Sequence, residues 1–249
     1  MRRIVLMGLA AAALFARPAV AQESPISPMD FAIQRQVMIN TVVSNIAVGD
    51  VAHKGQGGSR GITTQGGSSS AIRLKTGGTL SDAPMPYATS PASQQAGLRA
   101  YIARNRSRNP KLAGEIERAF AGVNVHQRFA QAARTNGLNP NDTADVMTAF
   151  LLAGYEIITG HEPTGAETRG VRRQVAGQLL TLAEMRKPVA RTELSEELKI
   201  QFLVLASGYL NARGESERAQ YRKGVSQFYS RATGQDLGRL RLSAKGFSS

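Results

Sequence analysis

Beyond position 91, apolar residues recur at intervals of three and four, the spacing that aligns side chains along one face of a helix. The clearest stripe comprises Val146, Met147, Phe150, Leu151, Tyr155 and Ile158. A later segment, about 192–212, is apolar on more than one side, which predicts the most buried helix of the set. Short polar connections between these helices favour an arrangement in which successive helices pack roughly antiparallel. The pattern predicts an all-α domain over 92–249, a helical bundle of about six to seven helices.

Capping residues predict where several of these helices begin and end. Residues 139–142, Asn-Pro-Asn-Asp, place a capping side chain before a proline and an acidic residue, which predicts a helix capped by Asn139. Thr164 and Glu167 have the spacing of a capping box. Gly160 is expected to close a helix in the left-handed conformation. The closing segment is expected to pack back on the bundle through Leu237, Leu240, Leu242 and Phe247.

The first 21 residues have the three-part layout of an export signal. Two arginines open it, an apolar run follows, and small residues precede the expected cleavage site after Ala21. The alternative is a retained membrane-spanning helix, which needs roughly 20 apolar residues. Arg17 and Pro18 interrupt the run before that length. We predict a signal peptide over 1–21 and a periplasmic or secreted product.

Between the signal and the bundle, the composition becomes that of a Gly/Ser-rich flexible segment. Nine glycines fall between positions 49 and 91. Such a stretch buries too little apolar surface to offset the entropy lost on ordering, so residues 22–91 are expected to be largely disordered. Within them, 29–48 is the exception. Apolar residues four apart favour a helix there, and its β-branched residues leave a strand as the alternative.

Charge and composition narrow the classes of function. The chain has a formal net charge of +13 at pH 7 and no cysteine, which excludes disulfides and thiol catalysis. His53, His126 and His161 fit no metal-ligand spacing, and no phosphate-binding glycine motif is present, so we expect no metal and no cofactor. No transmembrane segment is expected after the signal. Positive charge on an exported protein favours anionic envelope components as partners, with another envelope protein as a second candidate, and nucleic acid is not expected. The alternative is a basic protein that binds nothing specific.

A basic run is the sharpest local signal for binding: Arg99, Arg104, Arg106, Arg108 and Lys111. Guanidinium groups bind phosphate through two parallel hydrogen bonds, so this run is a candidate anion-binding surface. The alternative is a solvated helix end whose cations favour the negative end of the helix dipole. Basic residues of the tail would enlarge the surface if the tail folds beside it.

One carboxylate is a candidate for catalysis. A glycan hydrolase needs carboxylates across a sugar-binding cleft, one of them with a raised pKa. Glu156 lies inside an apolar stretch, where burial would raise its pKa. The alternative is that Glu156 lies on the flank of its helix, solvated or paired with an arginine. No motif for a serine nucleophile accompanies it.

Two segments carry a resemblance to a known family. They are GLNPNDTAD at 137–145, which leads into a helix ending in Tyr155 and Glu156, and LRLSAKGF at 240–247. Together they resemble a family of uncharacterised exported proteobacterial helical proteins, catalogued only as a domain of unknown function. The resemblance covers about residues 92–249. It implies an exported helical domain and implies no activity, cofactor or ligand.

The function expected from the sequence is therefore broad. We expect an exported non-catalytic helical protein that binds or scaffolds in the cell envelope. The alternative is a cell-wall glycan hydrolase with Glu156 as its general acid.

Overall fold

The computed structural model describes residues 74–249, so the predicted signal peptide, its cleavage site and the predicted 29–48 helix lie outside the described residues. Within this range there are seven α-helices and one two-stranded antiparallel hairpin. The helices are α1 (Pro91–Arg108), α2 (Pro110–Phe120), α3 (Val125–Thr135), α4 (Thr143–Thr159), α5 (Gly165–Leu180), α6 (Pro188–Asn211) and α7 (Gly214–Thr233). The hairpin strands are β1 (Arg241–Ser243) and β2 (Gly246–Ser248). The prediction of an all-α helical bundle is confirmed.

Local capping accounts for most helix boundaries. At the start of α5, the Thr164 hydroxyl accepts from the Glu167 backbone N–H, and the Glu167 carboxylate accepts from the Thr164 N–H, which confirms the capping box. Gly160 follows α4 with a φ of 73°, the left-handed conformation that glycine adopts without steric cost. These boundaries depend on residues three or four apart, which is why the sequence alone predicts them.

The start of α4 differs from the prediction. Helix α4 begins at Thr143 and its N-cap is Asp142, so the prediction that Asn139 caps it was wrong. One oxygen of Asp142, Oδ1, accepts from the backbone N–H groups of Ala144 and Asp145 at 3.0 and 3.2 Å. Its other oxygen accepts from the Met85 N–H at 2.6 Å. A carboxylate that joins the helix end to a distant segment outcompetes the more local asparagine cap.

Helix α4 forms the centre of the fold. Fourteen of its seventeen residues are buried, because it packs against α3, α5, α6 and α7. The prediction that the 192–212 helix is the most buried was wrong. Eleven of the 24 residues of α6 are buried, and Leu210 near its end is 44% exposed. The extra apolar residues of α6 widen its contacts without enclosing the whole helix.

Residues 74–90 form an extended segment, here called the strap, that crosses the bundle. Its apolar anchors Leu74, Met85 and Tyr87 are buried. Backbone hydrogen bonds fix both ends, from the Leu74 N–H to the Thr233 carbonyl at 3.0 Å and from the Thr143 N–H to the Met85 carbonyl at 2.9 Å. The expectation of a largely disordered region therefore does not extend to these residues. Burial of the three anchors and the hydrogen bonds of the segment together oppose the entropy lost on ordering it.

The strap passes very close to α5 at Gly177. A Cβ at this position would overlap the carbonyl group of Thr79. We expect Gly177→Ala to lower the free energy of unfolding by about 1–3 kcal/mol, because the strap has to move away from α5. Urea unfolding measures this loss, and hydrogen exchange at residues 79–81 locates it.

Gly114 of α2 provides a matched control for that substitution. It is also a helical glycine, but a Cβ there would meet no atom within 4 Å. Gly114→Ala is therefore expected to stabilise the protein by about 0.5–1 kcal/mol through helix propensity alone. Equal effects of the two substitutions would contradict the tight packing of the strap.

The tail folds back on α5 as the hairpin. Leu237, Leu240 and Phe247 are buried, as predicted, and Leu242 is partly buried. The Gln174 side chain of α5 substitutes for a third strand. Its oxygen accepts from the Phe247 N–H at 2.8 Å, and its amide donates to the Phe247 carbonyl at 2.9 Å. The short strands were not predicted, because a side chain from α5 supplies part of their hydrogen bonding.

Candidate functional site

The predicted basic run lies on α1 and the start of α2, and the structure divides it into paired and unpaired cations. Arg104 Nη2 lies 2.9 Å from Glu197 Oε2, and Arg106 Nη2 lies 2.7 Å from Glu117 Oε2. Arg99 and Lys111 are exposed and form no salt bridge with any described residue, although the charge of Lys111 opposes the rise that burial causes in the pKa of Glu115. Arg108 is the last residue of α1.

The two ion pairs have different consequences. Glu197 is largely buried, with a side chain only 14% exposed, and burial raises its pKa while Arg104 opposes the rise. Arg104 therefore neutralises a charge inside the fold. Arg106 and Glu117 are each more than half exposed, so their attraction is weak and a phosphate group can compete for Arg106. We call the exposed side chains Arg99, Arg106 and Lys111 the α1–α2 basic surface.

The cations of the tail lie elsewhere. Arg241 and Lys245 are exposed on the hairpin, which packs on α5. Helix α1 packs on α2 and α6 instead. The hairpin therefore does not enlarge the α1–α2 basic surface, and its two cations carry a similar charge at a separate place on the fold.

Glu156 lies near the end of α4 and is partly buried. Burial, and secondarily the negative charge of Glu162, raises the pKa of Glu156 to about 7, which confirms the expected shift. Its Oε2 atom is enclosed and has no hydrogen-bond partner among the described residues. The carboxyl can hold a proton near neutral pH, but solvent does not reach this oxygen.

A small cavity lies beside α4, and Glu156 is not among its lining residues. That cavity measures about 10 Å³ and lies between α3, α4 and α6, where Ala133, Leu152 and Phe202 are among its lining residues. This volume is close to the minimum for a single water molecule. Glu156 does not line this cavity, so the cavity is not a substrate site for Glu156.

The histidines of the described residues have separate partners. The Nε2 atom of His161 lies 3.3 Å from both carboxylate oxygens of Glu167. His126 contacts Lys199 on α6. Among residues 74–249, no three histidine, aspartate or glutamate side chains are arranged to hold a metal ion. His53 lies outside the described residues.

A buried polar cluster, which sequence reasoning missed, joins α3, α6 and the strap. The Nζ atom of Lys199 lies 2.7 Å from Glu196 Oε2 and 3.2 Å from His126 Nδ1. It also lies 5.5 Å from the ring centroid of Tyr87, within cation–π range. The Thr89 hydroxyl donates to the other oxygen of Glu196 at 2.7 Å. We call these five residues the Lys199 cluster.

Burial controls the protonation of this cluster. Lys199 and Glu196 are 0% and 1% exposed. Burial lowers the pKa of Lys199, and the hydrogen bond and charge of Glu196 oppose the change. Burial, and then the positive charge of Lys199, lowers the pKa of His126. The sequence contained one signal for the pair, a glutamate and a lysine three apart on a predicted helix.

None of the helices between positions 74 and 249 is both long enough and apolar enough to cross a membrane.

Comparison with known proteins identifies one family. The model of a family of unknown function (DUF6683) matches residues 1–249. The match extends beyond the range 92–249 over which the resemblance was drawn. No curated protein and no solved structure matches the chain.

Proposed function

This chain belongs to the family of unknown function DUF6683, and we propose that it is an exported, non-catalytic helical protein that binds an anionic component of the cell envelope. The α1–α2 basic surface is the proposed contact. Export rests on the layout of residues 1–21. The partner class rests on charge, because phosphate-bearing lipids are the anions that such a surface meets outside the cytosol.

The observation that carries this proposal is the presence, on one helical hairpin, of two exposed cations without a salt bridge to any described residue. Arg99 of α1 and Lys111 of α2 are exposed, and α1 and α2 pack against each other. The charge of Lys111 also acts on the largely buried Glu115 carboxyl, but its ammonium group is not held in a salt bridge by any residue that the structure describes. Arg106 adds a guanidinium whose exposed ion pair costs little to exchange. Each basic side chain close to an anionic membrane contributes about 1 kcal/mol of attraction.

Sedimentation with lipid vesicles tests the proposal. We expect the protein to be retained on vesicles rich in phosphatidylglycerol and not on phosphatidylcholine vesicles. Retention should fall as NaCl rises from about 0.1 M to about 1 M, because the screening length shortens from about 10 Å to about 3 Å. Equal retention on both vesicle types, or retention unaffected by salt, would contradict an electrostatic contact.

A second candidate function is favoured by one observation. The raised pKa of Glu156, with Glu162 as a neighbouring carboxylate, is the property required of a general acid in glycan hydrolysis. A cell-wall glycan hydrolase that uses Glu156 is therefore the alternative proposal. It requires a movement that exposes the enclosed oxygen of Glu156 to a substrate.

A further inference from the structure

The contact between His126 and Lys199 fixes the protonation state of the histidine. A lysine ammonium group can only donate hydrogen bonds, so His126 Nδ1 must accept across the 3.2 Å that separates it from Lys199 Nζ. An accepting Nδ1 carries no proton. With Lys199 held as an ammonium by Glu196, His126 is assigned as a neutral imidazole with its proton on Nε2.

None of the charged groups around His126 is a free partner for its protonated form. The charged groups that act on it are Lys199 and Glu196 of α6 and Arg134 of its own helix. Glu196 is the single anion among them, and both of its oxygens are engaged, one by Lys199 and one by Thr89. The strap contributes the ring of Tyr87, which faces Lys199. A proton on His126 would place two cations in contact beside an anion already bound on both oxygens.

His126 also lies where a change in its protonation can move helix α3. It lies in the first turn of α3 and is partly exposed, so protons from the solvent can reach it. One turn later, Phe129 of α3 packs edge-to-face on Phe202 of α6, with ring centroids 5.3 Å apart. The first turn of α3 is thus held to α6 by this aromatic contact and by the hydrogen bond from Lys199.

We propose that His126 and Lys199 form an acid-sensitive latch between α3 and α6, in which protonation of His126 breaks the hydrogen bond from Lys199 and releases the first turn of α3. The latch is closed at neutral pH and opens on acidification. The direction agrees with linkage, because a histidine with a lowered pKa contributes stability above its ordinary value of about 6.5 and loses it as the pH falls toward the lowered value.

The tautomer of His126 in the intact protein is the first test. Nitrogen NMR shifts at pH 7.5 should assign His126 to the form with an unprotonated Nδ1 and a protonated Nε2. Comparison with spectra of His126→Asn and His161→Asn identifies the signal. Observation of the opposite tautomer, or of an imidazolium at this pH, would overturn the proposal.

Hydrogen exchange of α3 amides is the second test. After correction for the intrinsic exchange rate, we expect the opening of α3 to increase about tenfold for each pH unit between 6.5 and the lowered pKa of His126. His126→Asn should remove this dependence, since the asparagine oxygen can accept from Lys199 and does not titrate. His161→Asn changes the exposed histidine paired with Glu167 and should leave the dependence intact. An acid-induced opening that persists in His126→Asn, or its absence from the unmodified protein, would refute the latch.

Discussion

Lys199→Met is expected to lower the free energy of unfolding by about 3–5 kcal/mol, because it leaves Glu196 buried without its cation. Glu196 is 1% exposed, and Thr89 is its remaining hydrogen-bond donor once Lys199 is gone. A methionine fills most of the volume of the lysine side chain, so the loss reports on charge rather than on a cavity. Urea unfolding at pH 7 measures this loss, with the same dependence of unfolding free energy on urea concentration used for both proteins.

Two further variants determine whether burial is the cause. Lys187 pairs with Glu184 at the same spacing of three residues and at 2.9 Å, but both side chains are about two-thirds exposed. Lys187→Met should therefore cost less than about 1 kcal/mol. The double variant Lys199→Met with Glu196→Gln should recover most of the stability, because no uncompensated charge remains inside. A similar loss in Lys187→Met, or no recovery in the double variant, would contradict the account of a buried ion pair.

Glu156→Gln is expected to stabilise the protein at pH 8 by about 3 kcal/mol and to have little effect at pH 4. The pKa of Glu156 is about 7 in the folded chain, against 4.5 for an ordinary glutamate, so the native state favours the protonated carboxyl. Its contribution to stability is complete below pH 4.5 and is lost as the pH rises through 7. Glutamine keeps the neutral shape at every pH, and the difference of about 2.5 pKa units corresponds to about 3 kcal/mol.

Glu193→Gln is the control for this pH dependence. Glu193 is exposed on α6, so its neutralisation should change stability by less than about 0.5 kcal/mol at either pH. Unfolding curves of both variants at pH 4 and pH 8 give the comparison. If Glu156→Gln gained nothing at pH 8, or gained equally at both pH values, the carboxyl would not be desolvated in the folded protein.

The same variant tests the alternative function. Release of fragments from purified peptidoglycan by the unmodified protein, and its loss in Glu156→Gln, would support glycan hydrolysis. Because the substitution is expected to stabilise the fold, such a loss could not be attributed to unfolding. Absence of release by the unmodified protein would remove this alternative.

Features of the fold that depend on neighbouring residues were predictable from the sequence. The capping box of Thr164 and Glu167 and the glycine that ends α4 each depend on residues within a turn. The N-cap of α4 was placed wrongly because Asp142 binds Met85, 57 positions earlier in the chain. The strap was missed for the same reason, since its anchors are isolated along the sequence and find their partners only in the folded bundle.

In the candidate sites, too, features that depend on neighbouring residues were predictable and those that depend on distant residues were not. The raised pKa of Glu156 was predictable because its apolar neighbours are adjacent in sequence. Neutralisation of Arg104 was not predictable, because Glu197 lies on another helix. The Lys199 cluster was not predictable either, because His126 and Lys199 are 73 positions apart in the chain. A hydrophobic pattern predicts which helical face is buried, but not which polar side chains are buried with it.

Binding of two double variants to anionic vesicles tests the central claim, a contact through the α1–α2 basic surface, most directly. The first double variant changes α1–α2 and combines Arg99→Gln with Lys111→Gln. The second changes the hairpin and combines Arg241→Gln with Lys245→Gln. Each variant removes one exposed arginine and one exposed lysine. We predict that the first variant loses about tenfold or more in affinity, at about 1 kcal/mol per cation, while the second binds like the unmodified protein. Equal losses in both variants, or a loss confined to the hairpin variant, would contradict the claim.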